Sequence, residues 1–128
     1  MSAAPLISIV DDDDSLRNSL NNLIRSFGFR VQGFCSPEAF LKSNQLDDTE
    51  CLILDVRMPG MSGLELQRRL VATHCGIPII FITSHGDDNS RTRTLEAGAV
   101  DFLYKPFRED GLLNAIYAAL KSKEVGTK

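Results

Sequence analysis

The sequence predicts an open, doubly wound α/β domain in which five parallel strands alternate with five helices. Two observations carry that expectation. Leu6 to Val10, Cys51 to Leu54, Ile77 to Ile82 and Ala99 to Leu103 are short and largely apolar without strict alternation, the pattern of strands covered on both faces. The stretches between them place apolar residues at helical spacing, so strand and helix signals alternate along the chain.

The elements follow in order. After the first strand, Leu16, Leu20, Leu23, Ile24 and Phe27 lie on one helical face, with Asp14 as the expected N-cap and Gly28 as the terminator. Phe29 to Phe34 alternates and reads as an edge strand. Ser36-Pro37 supplies a cap followed by proline at the first helical position, opening a helix that runs to about Asn44. Beyond the Cys51 to Leu54 strand, a helix from about Gly63 to Thr73 groups Leu66, Leu70 and Val71. The next helix, about Asp88 to Ala97, is rich in weak helix formers (Asp88, Asn89, Ser90, Thr92, Thr94) and has little besides Leu95 to anchor it. The last, about Glu109 to Lys121, carries Leu112, Leu113, Ile116 and Leu120. Ser122 to Lys128 reads as a polar tail.

Composition narrows the function. The 128 residues suit one domain, with a core over about 6–121, and the net charge of −3 supplies no basic face for nucleic acid. No apolar run approaches the roughly 18 residues of a membrane span. Met1 to Val10 lacks a basic region ahead of its apolar stretch, so a secretory signal is not expected. Cys35, Cys51 and Cys75 are odd in number and form no CxxC, which argues against a disulfide scaffold or a zinc site. They read as core or half-buried thiols. The expectation is a cytoplasmic domain with no membrane contact.

Functional groups of an open parallel sheet gather where its strands end. Here the first strand ends in Asp11-Asp12, the third in Asp55, the fourth in Thr83-Ser84 and the fifth in Lys105-Pro106. Right-handed crossovers bring these ends to one rim. Crowded carboxylates call for a hard cation, and an all-oxygen set suits Mg²⁺. Lys105 would balance a phosphoryl group as a point charge, Thr83 would donate to a phosphoryl oxygen, and a lone aspartate such as Asp55 can be a nucleophile forming an acyl phosphate. Each part has an ordinary reading. An aspartate run is usually a solvated turn, Asp55 could cap a turn toward Pro59-Gly60, threonine favours strands, and Lys-Pro is commonly a loop. The combination at one rim is what is specific.

Over about Leu6 to Leu120 the chain resembles the receiver domain of bacterial two-component response regulators. The matching pieces are Ile9-Val10-Asp11-Asp12, Leu54-Asp55-Val56-Arg57-Met58-Pro59-Gly60-Met61-Ser62-Gly63, Ile82-Thr83-Ser84 and Gly98-Ala99-Val100-Asp101-Phe102-Leu103-Tyr104-Lys105-Pro106-Phe107. The wording at Ile82 to Gly86 and Ala97 to Phe107 is most like the nitrogen-fixation and LuxR-type branch. The resemblance implies a flavodoxin-like sheet of order 2-1-3-4-5 and a signalling switch rather than an enzyme. It also implies that Asp55 accepts a phosphoryl group from a sensor histidine kinase. Mg²⁺ would be held by Asp12, Asp55 and the backbone carbonyl of Arg57, with Asp11 acting through water. Thr83 and Lys105 would bind the phosphoryl oxygens, and Lys105-Pro106 would be a cis peptide. Phe102 matches a switch aromatic that turns inward as Thr83 moves, and Ser84 a position kept small for access to Asp55. The fourth helix and fifth strand, with Arg91, Arg93, Asp101 and Tyr104, would form a phosphorylation-dependent homodimer face. Output would pass to a DNA-binding domain not in this chain, with the tail at 122–128 as the start of a linker to it, or the domain would act as a stand-alone regulator.

Two other classes share parts of this pattern. A Mg²⁺-dependent phosphatase with an aspartate nucleophile would need a second aspartate two residues on as its proton shuttle, where this chain has Arg57. A flavodoxin-like cofactor binder would need a phosphate-cradling loop after the first strand, where this chain has Asp11-Asp12-Asp13-Asp14. His74 suits a helix C-terminus, and His85 is placed to influence water access to the phosphoryl group or simply to sit at the surface.

Overall fold

The computed structural model describes residues 4–56, 58, 60–73, 76–83, 88–105 and 107–126. The elements alternate as β1 (Leu6–Val10), α1 (Asp14–Ser26), β2 (Arg30–Phe34), α2 (Pro37–Lys42), β3 (Thr49–Asp55), α3 (Gly63–Ala72), β4 (Ile79–Thr83), α4 (Asp88–Glu96), β5 (Asp101–Tyr104) and α5 (Glu109–Gly126). The strands form one parallel sheet in the order β2-β1-β3-β4-β5. Apolar runs on β1, β3 and β4 are explained by coverage of both sheet faces.

The pleat divides the core. Ile7, Ile9, Cys51, Ile53, Ile80 and Ile82 face α1 and α5, whereas Leu52, Leu54, Val56, Ile79, Phe81 and Phe102 face Phe40 of α2 and Leu66 and Leu70 of α3. Thr49, a polar start to β3, is buried because its hydroxyl pairs with Ser8 at 2.6 Å. Burial of the Cys51 thiol pushes its pKa up to about 12. Among the described residues no helix is long and apolar enough to cross a membrane.

Several boundaries differ from expectation for local reasons. The cap of α1 is Asp13, not Asp14: Asp13 has extended backbone and its carboxylate accepts from Leu16 N–H at 3.2 Å. Gly28 does follow the helix, with φ 95°. Helix α2 stops at Lys42, because Ser43 turns to extended backbone and its hydroxyl donates to the Phe40 carbonyl at 2.7 Å. Helix α5 continues to Gly126, past Lys121, through a stretch without proline or an earlier glycine after Gly111.

Three side chains are also corrected, two of them by helical geometry. On α3 the buried stripe is Gly63, Leu66, Gln67 and Leu70, spaced i, i+3, i+4, i+7, which leaves Val71 at the surface with 58% exposure. Leu113 of α5 is only half-buried, since the buried row is Leu112, Ala115, Ile116 and Ala119. Cys35 is exposed, not core, lying on the loop just past β2. Helix α4 holds by more than Leu95. Thr94 is fully buried, and its carbonyl accepts from Gln67 Nε2 at 3.1 Å and from Ala99 N–H at 2.9 Å.

Candidate functional site

Strand register sets the site before any side chain is considered. Val10 pairs with Leu54, Asp55 with Ile82, and Thr83 with Tyr104. Asp11, Asp55, Thr83 and Lys105 therefore fall within a residue of one another at the C-terminal rim. The ladder runs one step further, with Asp11 N–H donating to Phe34 O at 3.1 Å and Lys105 N–H to Thr83 O at 2.8 Å. The rim is thus held by backbone, independently of the charges it displays.

Pleat parity then sorts the side chains. Asp11 continues the row Ile7, Ile9, and Asp55 the row Cys51, Ile53, so both belong to the face covered by α1 and α5. Lys105 continues Leu103 on that same face. Thr83 has the opposite parity, sharing the face of Phe81, Phe102 and Tyr104. Rings Phe81 and Phe102 lie 6.3 Å apart, and Phe102 meets Tyr104 edge-on at 5.3 Å. Threonine 83 is therefore the rim residue next to the aromatic row.

Carboxylate oxygens of Asp11, Asp12 and Asp55 all lie within 4.8 Å of one another. Asp11 is fully buried, Asp55 nearly so, and Asp12 is exposed. One Asp11 oxygen accepts from Asp13 N–H at 2.9 Å. The other is buried without a hydrogen bond and faces Lys105 Nζ at 3.7 Å. Burial raises the Asp11 pKa, opposed by the Asp13 amide and Lys105 and assisted by the charges of Asp12 and Asp13. A hard-oxygen trio with one orphaned buried oxygen is a donor set that fits a small divalent cation. The four-aspartate run is therefore divided: Asp13 caps α1, Asp14 pairs with Arg17, and Asp11 and Asp12 face Asp55.

The expected residues Asp11, Asp12, Asp55, Thr83, Lys105 and Phe102 are all within the described chain. Arg57, Ser84, Pro106, His74, His85 and Cys75 lie outside the described residues, and with them the cis peptide and the carbonyl ligand. Three neighbours escaped sequence reasoning. Gly63 abuts the Asp55 backbone, a Cβ there falling 2.3 Å from its carbonyl oxygen. Arg17 donates to the Asp11 carbonyl at 2.7 Å, a contact foreshadowed only by its i+3 spacing from Asp14. An apolar groove lined by Leu16, Leu20, Leu23 and Phe107 opens beside Lys105.

Comparison with known proteins agrees with this geometry. The family model of the response regulator receiver domain matches residues 7–117. Nodulation protein W of Bradyrhizobium diazoefficiens is 50% identical over 118 residues, 92% of this chain and 52% of that protein. Response regulator protein TodT of Pseudomonas putida is 51% identical, with the same coverage of 92% and 52%. The chain thus spans about half the length of the curated relatives it matches. Among solved structures, response regulator StyR superposes with a TM-score of 0.86 at 50% identity, covering 93% of this chain and 60% of that one. FixJ-N gives 0.84 at 40% identity, covering 94% and 96%.

Proposed function

This chain belongs to the receiver-domain family of two-component response regulators, and from that membership we propose that Asp55 is its phosphoacceptor. A receiver is a signalling switch, and a histidine kinase is its partner. The observation that supports Asp55 above the other aspartates is its position: nearly buried at the end of central strand β3, within 4.8 Å of two further carboxylates.

Asp11, Asp12 and Asp55 are the groups that would hold Mg²⁺, with the Arg57 carbonyl as a further ligand and Asp11 contributing through water. Mg²⁺ bound there supplies charge compensation for phosphoryl oxygens. A carboxylate oxygen of Asp55 attacks phosphorus of the kinase phosphohistidine. The P–N bond breaks, its electron pair returns to the imidazole, and an acyl phosphate stands on Asp55. Lys105, paired with Asp11 beforehand, compensates a phosphoryl oxygen, and the Thr83 hydroxyl donates to another. Because Thr83 shares its sheet face with Phe102, its movement toward the phosphoryl group opens space that the Phe102 ring fills.

The consequence for output lies on α4 and β5. Arg91 and Arg93 are exposed on α4, and Asp101 and Tyr104 are half-buried on β5. A second copy of this face is the partner, giving a phosphorylation-dependent homodimer. Control of transcription runs through a DNA-binding domain not in this chain, in keeping with the naming of FixJ of Bradyrhizobium diazoefficiens as a transcriptional regulatory protein. The chain described forms one receiver domain, binds no nucleic acid itself, and works in the cytoplasm.

The test is intact-mass measurement after incubation with acetyl phosphate and Mg²⁺. Wild-type protein gains one phosphoryl group, about 80 Da, and Asp55→Asn, with the same shape but no nucleophile, gains none. Labelling of Asp55→Asn to the wild-type level overturns the assignment.

A further inference from the structure

Arg17 reaches three features of the acidic rim. Its Nη1 donates to the Asp11 carbonyl at 2.7 Å, its Nη2 pairs with Asp14, and its backbone N–H donates to the Asp13 carbonyl at 2.9 Å. The side chain is held rather than free, being only 18% exposed, whereas Asp14 is 80% exposed. What makes room for it is Gly33 of β2. A Cβ on Gly33 would stand 3.1 Å from Arg17 Cδ and 3.2 Å from Cγ, so the arginine stem lies directly over the bare strand backbone. A planar guanidinium joins a carbonyl and a carboxylate at fixed angles, which the point charge of a lysine does not.

We propose that Arg17 is a positioning residue of the metal site. Seated over Gly33, it fixes the path of the chain from Asp11 to Asp14, so that Asp12 faces Asp55 while Asp14 is kept away from the cation. This rests on the reading of the rim as a Mg²⁺-dependent phosphoacceptor site. It goes beyond that reading by assigning the selection among four consecutive aspartates to a residue that touches neither metal nor phosphoryl group. The sign of its effect separates positioning from simple electrostatics. Removing a cation beside an acidic cluster makes the site more negative, and on charge alone Mg²⁺ should bind more tightly. Loss of the brace predicts the reverse, since groups that orient metal ligands are worth about tenfold or more in affinity.

The experiment uses the whole chain and three variants, Arg17→Met, Gly33→Ala and the double variant, with folding checked by backbone amide NMR. Mg²⁺ affinity is measured by titration, and exchange of the Asp13 and Leu16 amides is measured in metal-free protein. Arg17→Met is expected to weaken Mg²⁺ about tenfold despite the more negative site. Gly33→Ala, which keeps every charge, should weaken it too, and the double variant should be no worse than Arg17→Met. Both single variants should speed exchange of the Asp13 and Leu16 amides, which hydrogen-bond within the braced segment. Unchanged or tighter Mg²⁺ binding by Arg17→Met overturns the proposal, as does additivity of the two substitutions. Should wild-type protein bind no Mg²⁺, the reading of the site fails separately. The brace is then decided by amide exchange alone, and unchanged protection in both single variants refutes it.

Discussion

Gly63→Ala should damage the site from behind, without touching a charged group. Gly63 opens α3, and its N–H donates to the Val56 carbonyl at 3.0 Å. An added Cβ would stand 2.3 Å from the Asp55 carbonyl oxygen, and 3.1 Å from both Val56 Cα and a carbon of the buried Phe81 ring. Ordinary contact needs about 1 Å more at the carbonyl, and backbone on one side with a packed ring on the other leaves no easy direction of retreat. Overpacking of this kind costs about 1–3 kcal/mol, and alanine's helix preference returns up to about 1 kcal/mol, so a net loss of about 1–2 kcal/mol is expected. The end of β3 is what must move, and a displacement approaching 1 Å at Asp55 should slow labelling by acetyl phosphate roughly tenfold to a hundredfold. Urea unfolding followed by circular dichroism, in a protein without tryptophan, reads the first effect, and intact mass the second. Gly111→Ala is the control: among the described residues no atom beyond its chain neighbours and its own helix backbone lies within 4 Å of its Cβ position, so the same substitution should be neutral or stabilising. If Gly63→Ala matches wild type in both measurements, the close approach of α3 to Asp55 does not constrain the site.

Asp12→Ala should weaken Mg²⁺ binding far more than Asp13→Ala, whereas Asp13→Ala should cost about 1 kcal/mol of stability through the lost cap of α1; equal Mg²⁺ losses in parallel titrations would defeat that division. The raised pKa of Asp11 means that the folded state holds its proton more tightly than the unfolded chain, whose carboxyl keeps the ordinary value of 3.8. Its contribution is therefore fully present below pH 3.8 and is lost as pH rises through the folded value. Asp11→Asn should remove that part of the pH dependence and raise metal-free stability at neutral pH, which urea melts across pH 4–8 would show. A pH profile identical to wild type would count against it. For the switch, beryllofluoride should change hydrogen exchange chiefly between Asp88 and Tyr104; changes confined to α1 would place the switch elsewhere.

Alternation of apolar runs with helical spacing was enough to find β1, β3, β4 and β5, because strands covered on both faces are apolar at nearly every position, whereas edge strand β2 showed only as an alternating segment and the sheet order came from the family resemblance. The rim residues Asp11, Asp55, Thr83 and Lys105 were legible for a related reason: parallel strands in register end together, so the residue after each run is a neighbour of the others. What escaped was side-chain placement that depends on angle. Val71 looked like core beside Leu70 but lies 100° further round the helix, and Gln67, polar and so passed over, occupies the buried stripe. Asp14 and Asp13 are indistinguishable by composition as caps, and only backbone geometry decides between them. Arg17 and Gly33 are sixteen positions apart, and nothing in periodicity announces that a missing Cβ on one strand accommodates a side chain from a helix.

The double acceptance at the Thr94 carbonyl bears on how α4 can travel. Gln67 ties that carbonyl to α3, and Ala99 ties it to the approach of β5, both at the C-terminal end of the helix. Earlier in α4, Arg91, Thr92 and Arg93 are all exposed, and no comparable polar tie holds them to α3 among the described residues. The helix is therefore mounted like a door on its last turn. Were the proposed switch to displace α4, the fulcrum would be Thr94 and the lever arm would lengthen toward Asp88. In the proposed switch, a small push at the strand end would be amplified into a swing of the exposed helical surface, while the junction with β5 would stay almost still.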